Sequence, residues 1–208
     1  MASVLADQLP RLCIFTRAPV LGLVKTRLAA TLGPEAALEA HVRLVSDTLD
    51  RLAEIPGIQC ELWVAGDMDQ PILEGWRTKW SLTLREQVGE DLGERMAHAI
   101  ADCLDTSLKG LIVGCDCPTV TAAYVCQAVA ELDSHDLVLG PAEDGGYGLI
   151  GLRKLAPNIF TGMRWGAANV FAETVKQAKC SGLTWTALET LWDVDNERDW
   201  RRFLTLRN

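Results

Sequence analysis

Short apolar runs alternate with longer stretches in which apolar residues return every three or four positions. Leu12-Cys13-Ile14-Phe15 is continuous and apolar, the pattern of a strand covered on both faces. Residues 34–52 repeat at helical spacing, with Gly33-Pro34 as the start signal. The same reading predicts a strand at 60–65, a short helix within 69–80, and a strand at 81–87 that ends in the loop 89–93. A helix at 94–104 follows, with Met96, Ala97, Ile100, Ala101 and Leu104 on one stripe. Leu111-Ile112-Val113 reads as a central strand. Thr121 is positioned to cap a helix at 121–132 whose stripe is Val125, Ala128, Val129 and Leu132. Strands are expected at 137–139, 149–152 and 183–188, and helices at 168–178 and 197–204. Strand and helix alternate for most of the length, which predicts an α/β fold with a mainly parallel sheet between helical layers. The strands at 137–139 and 149–152 flank the Asp144-Gly145-Gly146 turn with no helix between them, so one strand is expected to enter antiparallel there.

Composition narrows the function classes. A chain of 208 residues with 49% hydrophobic and 23% charged residues suits one domain, 1–208, with a sizeable core. The net charge of −8 and the scattered basic residues exclude nucleic acid as a main partner. No apolar stretch is long enough to span a bilayer. Residues 1–10 have neither a basic start nor a long apolar core. Together with seven cysteines in no regular spacing, that points to a reduced, cytoplasmic protein. Cys115 and Cys117 would share a face in a strand, but the further ligands of a thiolate metal site are missing.

Four constellations carry candidate chemistry. In the loop after the first strand, Arg17, Gly22, Lys25 and Arg27 combine a backbone that can approach a ligand with cations for phosphate. Neither G-x-x-x-x-G-K-[ST] nor G-x-G-x-x-G is present, and a solvated surface loop is the plain alternative. Asp116 lies just past a buried strand, at the sheet edge where ligands bind in open α/β folds. It suits either a divalent ion or a turn before the next helix. Asp144-Gly145-Gly146-Tyr147 is either a ligand-facing loop or a simple hairpin turn. In Asp193-Val194-Asp195-Asn196, Asp195 is a possible second metal ligand and Asn196 a helix cap. His41, His98 and His135 have no matched partner for nucleophilic catalysis and read as packing or surface residues. Trp165 and Trp192 flank the candidate loops and are placed to stack on a base or sugar.

Taken together, these segments resemble a known family. The residues are Phe15-Thr-Arg17-Ala-Pro19-Val-Leu-Gly22-Leu-Val-Lys25-Thr-Arg27, Gln87-Val-Gly89-Glu-Asp91-Leu-Gly93-Glu-Arg95-Met96, Gly114-Cys-Asp116-Cys-Pro118, Gly140-Pro-Ala-Glu-Asp144-Gly-Gly-Tyr147 and Asp193-Val-Asp195. The chain is similar to the GT-A-like transferases often described as glycosyltransferases, and to the guanylyltransferases of deazaflavin and molybdenum cofactor synthesis. The resemblance implies a Rossmann-like, three-layer nucleotide-diphospho-sugar transferase (GT-A) fold. It also implies a nucleotide or nucleotide sugar as one partner and an unidentified small-molecule acceptor as the other. Arg17, Lys25 and Arg27 would contact phosphates, and Asp116 and Asp195 would hold Mg²⁺ or Mn²⁺. Lys25, Arg27 and Asp116 would serve catalysis. Gln87, Asp91, Arg95, Asp144, Gly145, Gly146 and Tyr147 would line the acceptor side. Nucleotidyl transfer is slightly preferred, with glycosyl transfer from a nucleotide sugar, or a non-catalytic nucleotide-binding protein that kept the fold, as the alternatives. Three departures stand out: Trp165-Gly166-Ala167 replaces Trp-Ser-Thr, Asn196 replaces a threonine, and the first loop lacks a double glycine.

Overall fold

The computed structural model describes residues 9–206, so nearly all of the segment read for a targeting signal, 1–10, lies outside the described residues. Seven strands lie in one sheet: β1 (Arg11–Arg17), β2 (Gln59–Ala65), β3 (Thr83–Glu86), β4 (Gly110–Gly114), β5 (Leu137–Pro141), β6 (Tyr147–Leu152) and β7 (Trp185–Ala187). Their spatial order is β3-β2-β1-β4-β6-β5-β7. Neighbouring strands run parallel except where β6 meets β4 and β5, and there the ladders are antiparallel. The predicted reversal therefore falls at the Asp144-Gly-Gly turn.

The helices are α1 (Thr26–Leu32), α2 (Pro34–Leu52), α3 (Pro71–Lys79), α4 (Leu92–Thr106), α5 (Ala122–Glu131), α6 (Val170–Cys180) and α7 (Glu197–Thr205). The described chain thus has the expected α/β architecture. One expectation is corrected: the stretch after β1 is not loop as far as Arg27, because α1 begins at Thr26. The helix is short and shows one buried residue, Leu28, too brief a pattern for periodicity to reveal.

The apolar core lies on both faces of the sheet. On one side α2, α3 and α5 cover Leu12, Ile14, Leu62, Leu111 and Val138; on the other, α4 and α6 cover Cys13, Trp63, Ile112, Leu139 and Ile150. Caps are as the sequence implies. The Thr121 side chain accepts from Tyr124 N–H, and Asn196 forms a capping box with Asp199 at the start of α7. All seven cysteines are free thiols. Cys115 and Cys117 do not share a strand face. They lie just past β4, buried within the core, where they pack as small apolar groups.

At the amino edge the buried Arg11 guanidinium reaches Glu61 at 2.7 Å and Asp102 at 2.6 Å, which ties β1, β2 and α4 together. On the far half of the sheet, Asp136 receives Lys154 Nζ at 2.9 Å, Arg153 Nε at 3.0 Å and the Thr184 hydroxyl at 3.0 Å. Hydrogen bonds from Lys154, Thr184 and Arg153 outweigh burial and hold this carboxyl well below the usual carboxylate range. Its contribution is therefore fully present above the unfolded value of about 3.9 and is lost as pH falls through the lower folded value. Asp136→Asn should destabilise the protein by about 2 kcal/mol at pH 7. The gap to wild type should narrow as denaturation is repeated below pH 4. A gap that stayed constant from pH 7 to pH 2 would refute the account.

Candidate functional site

The chain leaves β1 toward β2 on one side and leaves β4 toward β5 on the other, although β1 and β4 are neighbours. Between such strands the crossovers diverge and open a crevice at the carboxyl edge. A cleft of about 810 Å³ occupies this position. Arg17, Lys25, Arg27, His41, Gln87, Asp91, Arg95, Asp116, Asp144, Gly146, Tyr147, Trp165, Asp193 and Asp195 are among its lining residues. Segments as far apart in the chain as Phe15 and Asp195 thus meet at one edge.

The loop after β1 is tied down at its root, where Ala18 N–H donates to Ala65 C=O at 2.8 Å. Gly22 turns the chain at φ 76°, and Lys25 takes the left-handed conformation at φ 45°, ψ 46° just before α1. A non-glycine residue there is uncommon and needs its surroundings to hold it. They do: Lys25 Nζ donates to Val194 C=O at 2.7 Å and meets Asp116 Oδ2 at 3.3 Å. Arg27, on the first turn of α1, pairs with Asp195. Val194 N–H donates to Asp116 C=O at 2.9 Å. The two cations of the first loop therefore face the two carboxylates read as metal ligands, across the opening between β1 and β4.

Burial works to raise the Asp116 carboxyl, but Lys25, a backbone hydrogen bond and His41 outweigh it, so its pKa is lowered. Asp193 shows the opposite balance. Burial, then Asp116, Asp144 and Asp195, push its carboxyl up to about 7. Four carboxylates thus share a region whose nearest cations are Lys25 and Arg27. An oxygen-rich donor set with excess negative charge suits a hard divalent cation. As the side chains stand, no three His, Cys, Asp or Glu groups among the described residues converge tightly enough to hold one. Asp116 and Asp195 are engaged with Lys25 and Arg27 instead.

Of the residues expected on the acceptor side, all but Gly145 line this opening. Gln87, Asp91 and Arg95 line the same cleft, past the end of β3 and at the start of α4, where Gly93 packs against Trp165. Gln87 Nε2 donates to Thr16 C=O at 3.0 Å and to Trp63 C=O at 2.8 Å, closing the ends of β1 and β2. Asp91 caps α4 by accepting from Glu94 N–H at 2.9 Å, and Arg95 Nε holds Gly89 C=O at 2.9 Å. Asp144 accepts from Gly146 N–H at 2.8 Å, so it both shapes its turn and lines the cleft. Gly22 and Gly145 are not part of the lining and act through backbone shape. Trp165 lines the cleft, with its ring seated over Gly93. Trp192 corrects the stacking expectation: it is buried with Phe203 and Leu44, under the guanidinium of Arg202.

Two site residues escape the sequence reading. His41 projects from α2 into the cleft and bonds Arg17 C=O at 3.0 Å through Nε2. Burial lowers its pKa from the ordinary histidine value. A polar residue inside the stripe Ala37, Ala40, His41, Leu44, Val45 was the available signal. Asp193 was visible as the partner of Asp195, but its place among the other carboxylates required the fold.

Comparison with known proteins agrees with this architecture. The model of a family described as uncharacterized proteins conserved in bacteria (DUF2064) matches residues 48–167. A solved candidate nucleotide-diphospho-sugar transferase from Desulfovibrio desulfuricans G20 is 34% identical, with a TM-score of 0.82 over 90% of this chain and 82% of that one. The 2-phospho-L-lactate guanylyltransferase of Methanothermobacter thermautotrophicus is 28% identical over 182 residues, covering 84% of this chain and 76% of the relative. The 4-diphosphocytidyl-2C-methyl-D-erythritol synthase of Anaerococcus prevotii DSM 20548 shares the fold at a TM-score of 0.64, 10% identity and 99% coverage of both chains. No helix among the described residues is long and apolar enough to cross a membrane.

Proposed function

We propose that this chain, which belongs to the family of uncharacterized proteins conserved in bacteria (DUF2064), is a transferase that moves a nucleotidyl group from a nucleoside triphosphate to a small acceptor. The observation that carries the reading is the placement of Lys25 and Arg27 opposite Asp116 and Asp195 at the switch point of the sheet. Cations on a strand-to-helix loop suit a triphosphate, and the amino end of α1 adds backbone donors. The relative from Methanothermobacter, named as a guanylyltransferase, supports the same class.

Asp116 and Asp195 would hold Mg²⁺ or Mn²⁺, with Asp193 beside them. When bound, the ion supplies charge neutralisation for the phosphates. The chain's own residues do the rest. Arg17 and Arg27 hold the phosphate oxygens, and Lys25 meets the charge that develops on the leaving pyrophosphate. Gln87, Asp91 and Arg95 line the cleft on the acceptor side. Asp144, Gly146 and Tyr147 face the acceptor. The acceptor oxygen bonds to the α-phosphorus as the bond from that phosphorus to the bridging oxygen breaks. Pyrophosphate departs, and the proton of a hydroxyl acceptor passes to a cleft carboxylate. Glycosyl transfer from a nucleotide sugar is the second reading, favoured by the description of the Desulfovibrio protein.

A thermal-shift series over nucleoside triphosphates and nucleotide sugars, each with and without Mg²⁺ or Mn²⁺, tests the proposal. A ligand at about a hundred times its Kd adds about 2.7 kcal/mol of stability. A metal-dependent shift with one triphosphate is expected. A shift with nucleotide sugars alone would move the assignment to glycosyl transfer, and no shift with either class would overturn both.

A further inference from the structure

Helix α2 carries two polar side chains inside its buried stripe, His41 and Thr48, which are 7% and 1% exposed. They stand about two helical turns apart and so lie on one face. Each bonds to a backbone carbonyl at the carboxyl edge of the sheet, one on either side of the switch point. His41 Nε2 meets Arg17 C=O, at the end of β1, at 3.0 Å. A carbonyl only accepts, so Nε2 carries the proton. The Thr48 hydroxyl donates to Cys115 C=O, just past β4, at 3.3 Å. Arg51 Nη2 donates to the same hydroxyl at 3.1 Å and so helps aim its proton at Cys115.

Both carbonyls adjoin groups that the cleft uses. Arg17 C=O and Ala18 N–H belong to one peptide unit, and Ala18 N–H donates to Ala65 C=O at 2.8 Å. That unit is therefore held at both ends, and its plane sets the direction in which the first loop leaves β1 toward Lys25. Cys115 C=O leads directly into Asp116. Cys115 N–H donates to Phe15 C=O at 3.2 Å, and Asp116 C=O accepts from Val194 N–H at 2.9 Å. With Thr48 added, the backbone around Asp116 is held from β1, from α2 and from the 193–195 segment. Packing alone does not ask for these two residues. Apolar side chains at 41 and 48 would simply continue the stripe of Ala37, Ala40, Leu44, Val45 and Leu49. A buried polar group costs free energy unless it is bonded, so its presence here calls for a reason beyond the core.

Resting on the nucleotidyl-transfer reading, we infer that His41 and Thr48 are positioning residues. Helix α2 acts as a template that sets Arg17 and Asp116, on the two sides of the switch point, at the separation a metal-bound triphosphate requires. His41 works through the root of the first loop. Thr48, which is not part of the cleft lining, works through the peptide that carries Asp116.

The test is calorimetric titration of the full chain, at fixed Mg²⁺, with the triphosphate that gives the largest thermal shift, beside urea denaturation of each variant. His41→Leu and Thr48→Val remove the two donors and keep the stripe apolar. Each should weaken triphosphate binding about tenfold, because small displacements of binding groups are costly. His41→Gln places an amide N–H near the position of Nε2, and Thr48→Ser keeps the hydroxyl. These two should stay within about threefold of wild type, since the hydrogen bond is retained. Wild-type affinity in His41→Leu and Thr48→Val, whatever happens to their stability, would overturn the inference and leave both residues with a role in folding alone. Rescue variants that bind as weakly as the apolar ones would overturn it too, because the hydrogen bonds would then not carry the effect. A wild-type chain that binds no triphosphate would defeat the underlying reading and the inference with it.

Discussion

Alanine at Lys25 is expected to weaken binding of a Mg²⁺-loaded nucleoside triphosphate by about 10- to 100-fold, the scale of a lost charge-assisted contact. The side chain is only 10% exposed, and its ammonium holds both Val194 C=O at 2.7 Å and Asp116 at 3.3 Å. Truncation removes the phosphate ligand. It also leaves a carboxylate and a carbonyl without their shared donor, so about 2 kcal/mol of stability should go as well. Arg27→Ala offers the contrast. Arg27 is 71% exposed, so its pair with Asp195 stands in solvent and contributes at most about 1 kcal/mol to folding. Its loss should therefore appear in binding far more than in stability. Calorimetric titration of both variants, beside urea denaturation, separates the two effects. Triphosphate affinity unchanged in Lys25→Ala would remove the phosphate site from the first loop.

Gly145→Ala is expected to be among the most destabilising single changes in the site, at about 3 kcal/mol or more. A Cβ on Gly145 would lie 2.0 Å from Ala168 C=O oxygen and 2.6 Å from its carbon, and the residue sits at φ +89°. Its own carbonyl accepts from Phe171 N–H at 2.9 Å, so the turn is clamped against the start of α6. Gly162→Ala serves as the comparison. It shares a positive φ, +68°, but has nothing within 4 Å of the added carbon, so only the backbone cost of about 1 kcal/mol applies. Equal denaturation midpoints for the two variants would show that the close approach to Ala168 carries no cost.

The strands and long helices were legible because each buries a distinct face, and burial on a sheet with two covered sides leaves short apolar runs in the sequence. Thr26–Leu32 was not, since a helix of under two turns with one buried residue has no period to read. The carboxylates past β4 and in the turn before β6 were legible as chemistry because acidic residues directly after apolar strands stand out. Which segments pack against one another around the cleft was not. That Gly93, inside the Gln87–Arg95 segment, packs against Trp165 is visible only in the folded chain. Trp192 and His41 exchanged their expected roles for the same reason. Helix packing, and not neighbouring sequence, decides that one indole is buried under Arg202 and that one imidazole reaches the cleft.

The Arg11–Glu61–Asp102 cluster gives the two edges of the sheet different responses to ionic strength. Arg11 and Glu61 side chains are 5% and 1% exposed, beyond the reach of mobile ions. Arg27–Asp195, at the opposite edge, is open to the electrolyte, and a Debye length of about 3 Å at 1 M salt screens it heavily. Concentrated salt therefore weakens the Arg27–Asp195 pair, while the buried Lys25–Val194 hydrogen bond and the strands beneath stay fastened. In brine the rim of the cleft keeps its buried clasp and loses only the outer one.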